Sequence, residues 1–281
     1  MSATTKAKNP LYLRRYLGLA LAGAKSKTPK TTLSILEFYP KEKKIFVLDV
    51  FEKIGSEPNL SSDEVLLETI EESKDHVASL GVNVPLSLPP CIICTRKKCP
   101  LPKNCTVPSV KWMNKATHDI KTKKTFTPYT QRPVEIWIKN KIKKDFDCHL
   151  DIDETLGGTH APLTARMNFL LRHLGNLEVC EVVPKLSLLT LNKKVGISNK
   201  LLKNYRDIET GASSRYNILE IISQKLDIFI YERDLRKIAE NISSFDSFMC
   251  AYTALLDHQN QCYKRPKDFP KNERWISFPK Q

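Results

Sequence analysis

The chain has no apolar run approaching the roughly 20 residues that a membrane-spanning helix requires, and no nucleophile elbow, phosphate-cradling glycine loop or H-E-x-x-H helix. Those absences set aside a spanning helix and three common ways of building a hydrolytic or nucleotide-binding centre. There is also no internal repeat and no low-complexity tract, which argues against a solenoid and against compositional disorder. A secretory signal is imitated by the apolar stretch that follows Arg14 and Arg15. That stretch, "YLGLALAGAK", runs on into the alternating segment Thr31–Tyr39 as a sheet hairpin would, so a cytoplasmic location is expected.

Acidic side chains are scarce in one region. Residues 91–144 hold fourteen bases and two acids, +12 of a net +14, whereas 1–44 carry +8, 45–90 carry −7 and 145–281 carry +1. A basic stretch of that density suits a polyanion, because each neutralised phosphate releases condensed counterions. Nucleic acid is the expected partner, and a solvated lysine-rich surface is the plainer alternative.

What is present suffices for one large domain: 281 residues, 41% hydrophobic and 27% charged, in the range of ordinary globular proteins. Three β-prone runs at 16–22, 31–39 and 45–50 suggest an antiparallel meander. The period then changes. Ser61 and Glu64 in capping-box spacing, with apolar Val65, Leu66, Ile70 and Val77, predict a helix that stops at Gly81. A short strand in "VNVPLSLP", ended by Pro85, should follow. Residues 88–150 are rich in proline and lysine and read as an insertion that needs its own cross-link, with a helix after Pro133. Beyond it the pattern predicts a helix from Pro162 to about Gly175, a strand at 178–183, and helices in "SSRYNILEIISQKL", "ERDLRKIAENI" and "SSFDSFMCAYTALLDH". The expected organisation is an α/β core in two parts, 11–87 and 151–262, with the basic four-cysteine insertion at 88–150 and a surface tail at 263–281.

"CIICTRKKCPLPKNC" places Cys91, Cys94, Cys99 and Cys105 in a C-x2-C-x4-C-x5-C array. Four thiolates this close suit tetrahedral zinc, which with four protein ligands keeps no open position for chemistry and serves to hold shape. An iron–sulfur cluster uses the same ligands, and spacing alone does not separate the two. Disulfides fit poorly beside the isolated Cys148, Cys180, Cys250 and Cys262, and four free thiols are the plain alternative.

The segments "GLALAGAKSKT", "VNVPLSLPPCIIC", "FTPYTQRPVEIW", "APLTAR", "EVCEVVPKLSL" and "FDSFMCAYTALL" resemble, in order and rough spacing, the family called domain of unknown function 429. The resemblance runs from about residue 16 to residue 257, and "PYTQR" and "PLTAR" are its most specific parts. It implies an RNase H-like mixed sheet flanked by helices, and a nuclease in which carboxylates bring two divalent ions, Mg2+ or Mn2+, to a phosphodiester.

Carried over residue by residue, the implied site is incomplete. The first strand reads Gly18-Leu19-Ala20-Leu21-Ala22-Gly23, with a methyl where the family has a carboxylate, and the next reads Val82-Asn83-Val84-Pro85-Leu86, with an amide in place of the acid. Glu181 and Asp246 are retained. The expected catalytic residues are thus Glu181, Asp246 and Asn83, with Asp49, expected at the end of the third strand, as a substitute acid. The bland roles are an ion pair with an arginine such as Arg166 for Glu181, and a helix cap for Asp246. Tyr129, Gln131, Arg132 and Arg166 are the candidate substrate-binding residues. A guanidinium can fork onto phosphate and a ring can stack on a base, whereas Arg132 pairing with Glu135 and Tyr129 packing at the root of the insertion would be purely structural. Two functions follow from this: a divalent-metal-dependent nuclease, or a catalytically silent relative that binds nucleic acid through a zinc-held basic segment.

Overall fold

The alternation in the first quarter of the chain produces three strands, β1 (Arg14–Ala20), β2 (Thr31–Tyr39) and β3 (Lys44–Ile54), paired as antiparallel neighbours. The computed structural model describes residues 13–24, 28, 30–118, 126–146 and 152–280. Cys148, the lysines of 121–124 and the bases before residue 13 lie outside the described residues.

Helix α1 (Ser62–Glu72) begins at Ser61 with both halves of the capping box in place. It ends far short of the expected Gly81. The chain passes through His76, at a left-handed φ of 64°, into β4 (Val77–Val82), so Val77 and Gly81 belong to a strand, and of "VNVPLSLP" only Val82 is in it, the rest being the loop that leaves it. Tertiary packing decides this. Gly18 and Gly81 are register partners on β1 and β4, and a Cβ on either would overlap a backbone carbonyl of the last long helix, Ser247 for Gly18 and Cys250 for Gly81. Gly81 therefore serves close helix-to-sheet approach rather than a helix stop.

The rest of the chain supplies α2 (Pro108–His118), α3 (Pro133–Phe146), α4 (His160–Leu170), β5 (Val179–Val182), α5 (Pro184–Val195), α6 (Asn199–Asn204), α7 (Gly211–Leu226), β6 (Ile228–Phe229), α8 (Glu232–Glu240), α9 (Ile242–His258) and β7 (Ile276–Ser277). The strands form one mixed sheet in the order β6-β3-β2-β1-β4-β5-β7, with β4 parallel to β1, and β5 and β7 parallel beyond it. This is the expected α/β class. Helix α5 escaped the sequence reading, although Pro184 in its first turn and left-handed Gly196 after its end (φ 77°) are the usual bounds of a helix.

Side-chain alternation divides the core between the two faces of the sheet. Leu17, Leu19 and Leu33 pack with Leu66 and Ile70 of α1 and Met167 of α4. Tyr16, Leu36 and Val47 pack on the other face with Ile218 of α7, Ile238 of α8, and Phe245 and Phe248 of α9. A third cluster joins Val134, Ile138 and Ile142 of α3 to Phe269, Ile276 and Phe278 of the C-terminal segment. Two expectations change here. Part of the proline-rich region is ordered by apolar packing, and the segment after Tyr263, expected over the surface, adds β7 beside β5. Asp49, expected at a strand end, sits within β3 opposite Ile35 and accepts a hydrogen bond from the Val50 N–H. Among the described residues no helix is long and apolar enough to cross a membrane.

Candidate functional site

Arg132 immediately precedes α3, and its 1% exposure makes it one of the largest fully buried side chains. Its guanidinium donates to both oxygens of Glu181, at 2.8 Å from Nη1 to Oε2 and 2.5 Å from Nη2 to Oε1, and through Nε to Glu135 Oε1 at 3.0 Å. The position follows from local sequence: Pro133 opens the helix, and Glu135 in the first turn accepts from the Arg132 backbone N–H at 3.1 Å, the return half of a capping box. Glu181 comes from β5 and also accepts from the Leu86 N–H at 2.9 Å, which ties β5 to the loop leaving β4. Ser87 bridges the Arg132 Nη1 at 3.1 Å and Glu273 at 3.3 Å, while Thr155 donates through its hydroxyl and backbone N–H to Glu135.

The hub thus gathers one guanidinium and three carboxylates, Glu135, Glu181 and Glu273, all at most 6% exposed. Burial works against the charge of Arg132, yet Glu181, Glu135 and Glu273 together hold its pKa above the ordinary value. Burial raises Glu135, with Arg132 and Thr155 opposing. Glu273 is pushed up to about 7, first by burial and then by the neighbouring Glu181 and Glu135, against the pull of Arg132.

Asp246 lies elsewhere. It projects from α9, 8% exposed, and accepts two hydrogen bonds from Nη2 of Arg206 at 2.7 and 2.8 Å. Burial raises its pKa, opposed by Arg206 and Arg215. The helix cap it was offered as belongs to Asn241, whose side chain accepts from the Ser243 N–H. Along β5, Cys180 and Val182 meet Cys250 and Ala254 of α9, so the intervening Glu181 points away from that helix. Glu181 and Asp246 are therefore on opposite faces of the sheet, each engaged by its own arginine. Ala20 ends β1 as a buried methyl, and the Asn83 side-chain oxygen accepts from the Leu21 N–H at 2.8 Å.

The remaining candidates are tied into the framework to different degrees. Gln131 donates to Glu154 at 2.7 Å and accepts from the Thr127 N–H at 3.2 Å. Arg166, 9% exposed, pairs with Asp63 at 2.7 Å and also donates to the Ala22 carbonyl, so it pins the end of β1 to the start of α1 and is not the partner of Glu181. Tyr129 alone is open to solvent, at 55%. Sequence reasoning offered Arg132 both a phosphate and a local partner. The local pairing with Glu135 is present, the long-range partner is Glu181, and Glu273 and Thr155 were not anticipated because their neighbours lie far off in the chain.

Cys91, Cys94, Cys99 and Cys105 are free thiols, half-buried at Cys91 and Cys105 and exposed at Cys94 and Cys99. Burial, and then the charges of Cys105, Cys99 and Cys94, push the Cys91 thiol up. Among the described residues no group of three or more histidine, cysteine or acidic side chains stands in an arrangement that grips an ion. The Cys91 N–H donates to the Pro128 carbonyl at 3.0 Å, which anchors the cysteine segment beside Tyr129. Comparison of the chain with models of protein families, with curated proteins and with solved structures found no match.

Proposed function

We propose that this protein is a catalytically silent, RNase H-like nucleic-acid-binding module whose basic cysteine segment is held by structural zinc on Cys91, Cys94, Cys99 and Cys105. The core strand order 3-2-1-4-5, with β2 antiparallel to its neighbours and helices on both faces, supports the RNase H-like part of this reading. So does the resemblance of "PYTQR", "PLTAR" and their companions to domain of unknown function 429.

One observation carries the catalytic silence: the two retained carboxylates, Glu181 and Asp246, are on opposite faces of the sheet and each is neutralised by an arginine. Two-metal phosphodiester cleavage needs anionic oxygens converging on ions about 4 Å apart. Here Ala20 has no ligating atom, Asn83 is occupied by a backbone N–H, and a cation at Glu181 would have to displace a buried guanidinium. These residues do not fit a paired Mg2+ or Mn2+ centre. The binding half rests on the +12 balance of residues 91–144, whose Arg96, Lys97, Lys98 and Lys103 lie among the cysteines. Four cysteines within the fifteen residues 91–105 are a fitting donor set for zinc, which would order the segment without supplying chemistry.

The test is an assay of the purified full chain on labelled single-stranded DNA, duplex DNA, RNA and RNA–DNA hybrid with Mn2+, with EDTA and an Asp246→Ala variant as controls. Binding that weakens steeply with salt, with no cleavage, is the expected result. Cleavage abolished by both controls would restore the nuclease reading, and absence of binding would remove nucleic acid as the partner.

A further inference from the structure

The half of the sheet that α1 and α4 leave uncovered carries an aromatic ladder. Register aligns Arg15 of β1, Glu37 of β2, Phe46 of β3 and Phe229 of β6 in one row across four strands. Along β3, Ile45 and Val47 point into the core with α7, α8 and α9, so Lys44, Phe46 and the 40%-exposed Leu48 point outward. Four rings follow one another on this side: Tyr39 to Phe46 at 5.3 Å between centroids, Phe46 to Phe229 at 5.6 Å, and Phe229 to Tyr231 at 4.8 Å. Phe229 is 47% and Tyr231 59% exposed. In the unfolded chain these residues have no reason to meet; the parallel pairing of the two-residue β6 with β3 assembles them.

The Tyr39 end of the ladder is cationic, while exposed Asp227 and Glu232 flank Phe229 and Tyr231, Glu232 being paired with Arg236. The β2–β3 turn contributes exposed Lys41, Lys43 and Lys44 against Glu42 alone, and Lys44 is the register partner of Tyr39. The acid within the row, Glu37, is neutralised by Arg15 at 2.9 Å and accepts the Tyr39 hydroxyl at 3.1 Å. This surface lies toward the opposite end of β1 from Ala20 and draws on none of the arginine hub.

We infer that this sheet face, open among the described residues, is a stacking platform for single-stranded nucleic acid, with bases on Phe229, Tyr231 and Phe46 and the backbone phosphates on the lysines of the β2–β3 turn. Aromatic rings on a sheet face flanked by cations are a recurring way to hold single strands with little sequence preference, because every base has a π-face. Lysines beside the rings match a phosphate backbone, whereas an apolar partner would leave them unanswered. The inference rests on the proposed nucleic-acid binding and locates it.

The experiment measures fluorescence anisotropy of labelled oligo-dT, oligo-U and a DNA duplex with the full chain, its Phe229→Ala and Tyr231→Ala variants, and a Lys97→Glu/Lys98→Glu variant in the cysteine segment. Circular dichroism and sedimentation are followed on each. Each ring variant should weaken single-strand binding about tenfold, the scale of one stacked base, and leave duplex binding within about twofold. Phe229→Trp should retain affinity, and the two single-strand probes will separate RNA from DNA. Single-strand binding lost only in the lysine variant would overturn the platform while leaving nucleic-acid binding intact. A wild type that binds no probe would overturn both. Ring variants that dissociate an oligomer without weakening single-strand binding would make the ladder an interface between copies and overturn the proposal.

Discussion

Glu273→Gln should remove a pH dependence of stability that the arginine hub builds in. With one guanidinium facing three carboxylates, the fully ionised hub is buried with two uncompensated negative charges, and Glu273, on the C-terminal segment, is raised to about 7. A carboxyl that holds its proton more tightly in the fold than in the unfolded chain stabilises fully below its ordinary value of 4.5. That contribution is lost as pH rises through about 7. At about 1.4 kcal/mol per pH unit the difference amounts to roughly 3 kcal/mol. The glutamine keeps an uncharged side chain of the same shape at every pH. Urea unfolding at pH 5 and pH 8 should therefore show wild type losing about 2.5 kcal/mol relative to the variant on going to the higher pH, because part of the full difference is already lost at pH 5. Glu135 and Asp246, also raised by burial, remain in both proteins, so the difference reports Glu273. Parallel stability profiles, within about 0.5 kcal/mol at both pH values, would show that Glu273 is ionised without cost and refute the charge balance drawn here.

Arg132→Met should cost about 3–5 kcal/mol in the same assay, because it strands Glu181 and Glu135 without a counter-charge; a second change, Glu181→Gln, should recover part of the loss, and additive losses would argue against the pairing. Gly18→Ala should lower stability by about 3 kcal/mol or prevent folding, since its Cβ would overlap the Ser247 carbonyl and the Ala251 backbone nitrogen; a variant melting like wild type would mean that α9 can retreat from the sheet. On the proposed zinc site, Cys94→Ser or Cys99→Ser should reduce metal content measured by plasma mass spectrometry from one zinc per chain to a small fraction. Visible absorption in the purified wild type would instead assign the four thiolates to iron and sulfide.

Elements defined by short-range chemistry were legible. The period-two runs became β1, β2 and β3, the Ser61 box opened α1, Pro133 opened α3, and the last three helices follow their apolar spacing. The end of α1 was not legible, because Gly81 reads as a stop when its true constraint is the approach of Cys250, 169 positions along the chain. The C-terminal segment was misjudged for the same kind of reason. Its proline and lysine content suggests an exposed tail, whereas Phe269, Ile276 and Phe278 find their apolar partners on α3.

Composition alone concentrated the positive charge in residues 91–144, and spacing alone grouped four cysteines there, since both are properties of neighbours in the chain. That Ala20 and Asn83 carry no charge could likewise be read from the letters. Which arginine meets which carboxylate could not, because a buried ion pair is chosen by burial and geometry among several chemically equivalent candidates. Local sequence placed Glu181 near no arginine in particular; the junction of β5, the loop after β4 and the start of α3 brought it Arg132 rather than Arg166. Strand alternation then turned Glu181 away from α9, the helix that carries Asp246. The aromatic ladder depends in the same way on the parallel registry of β3 with a strand 183 positions later, a long-range pairing that no local pattern announces.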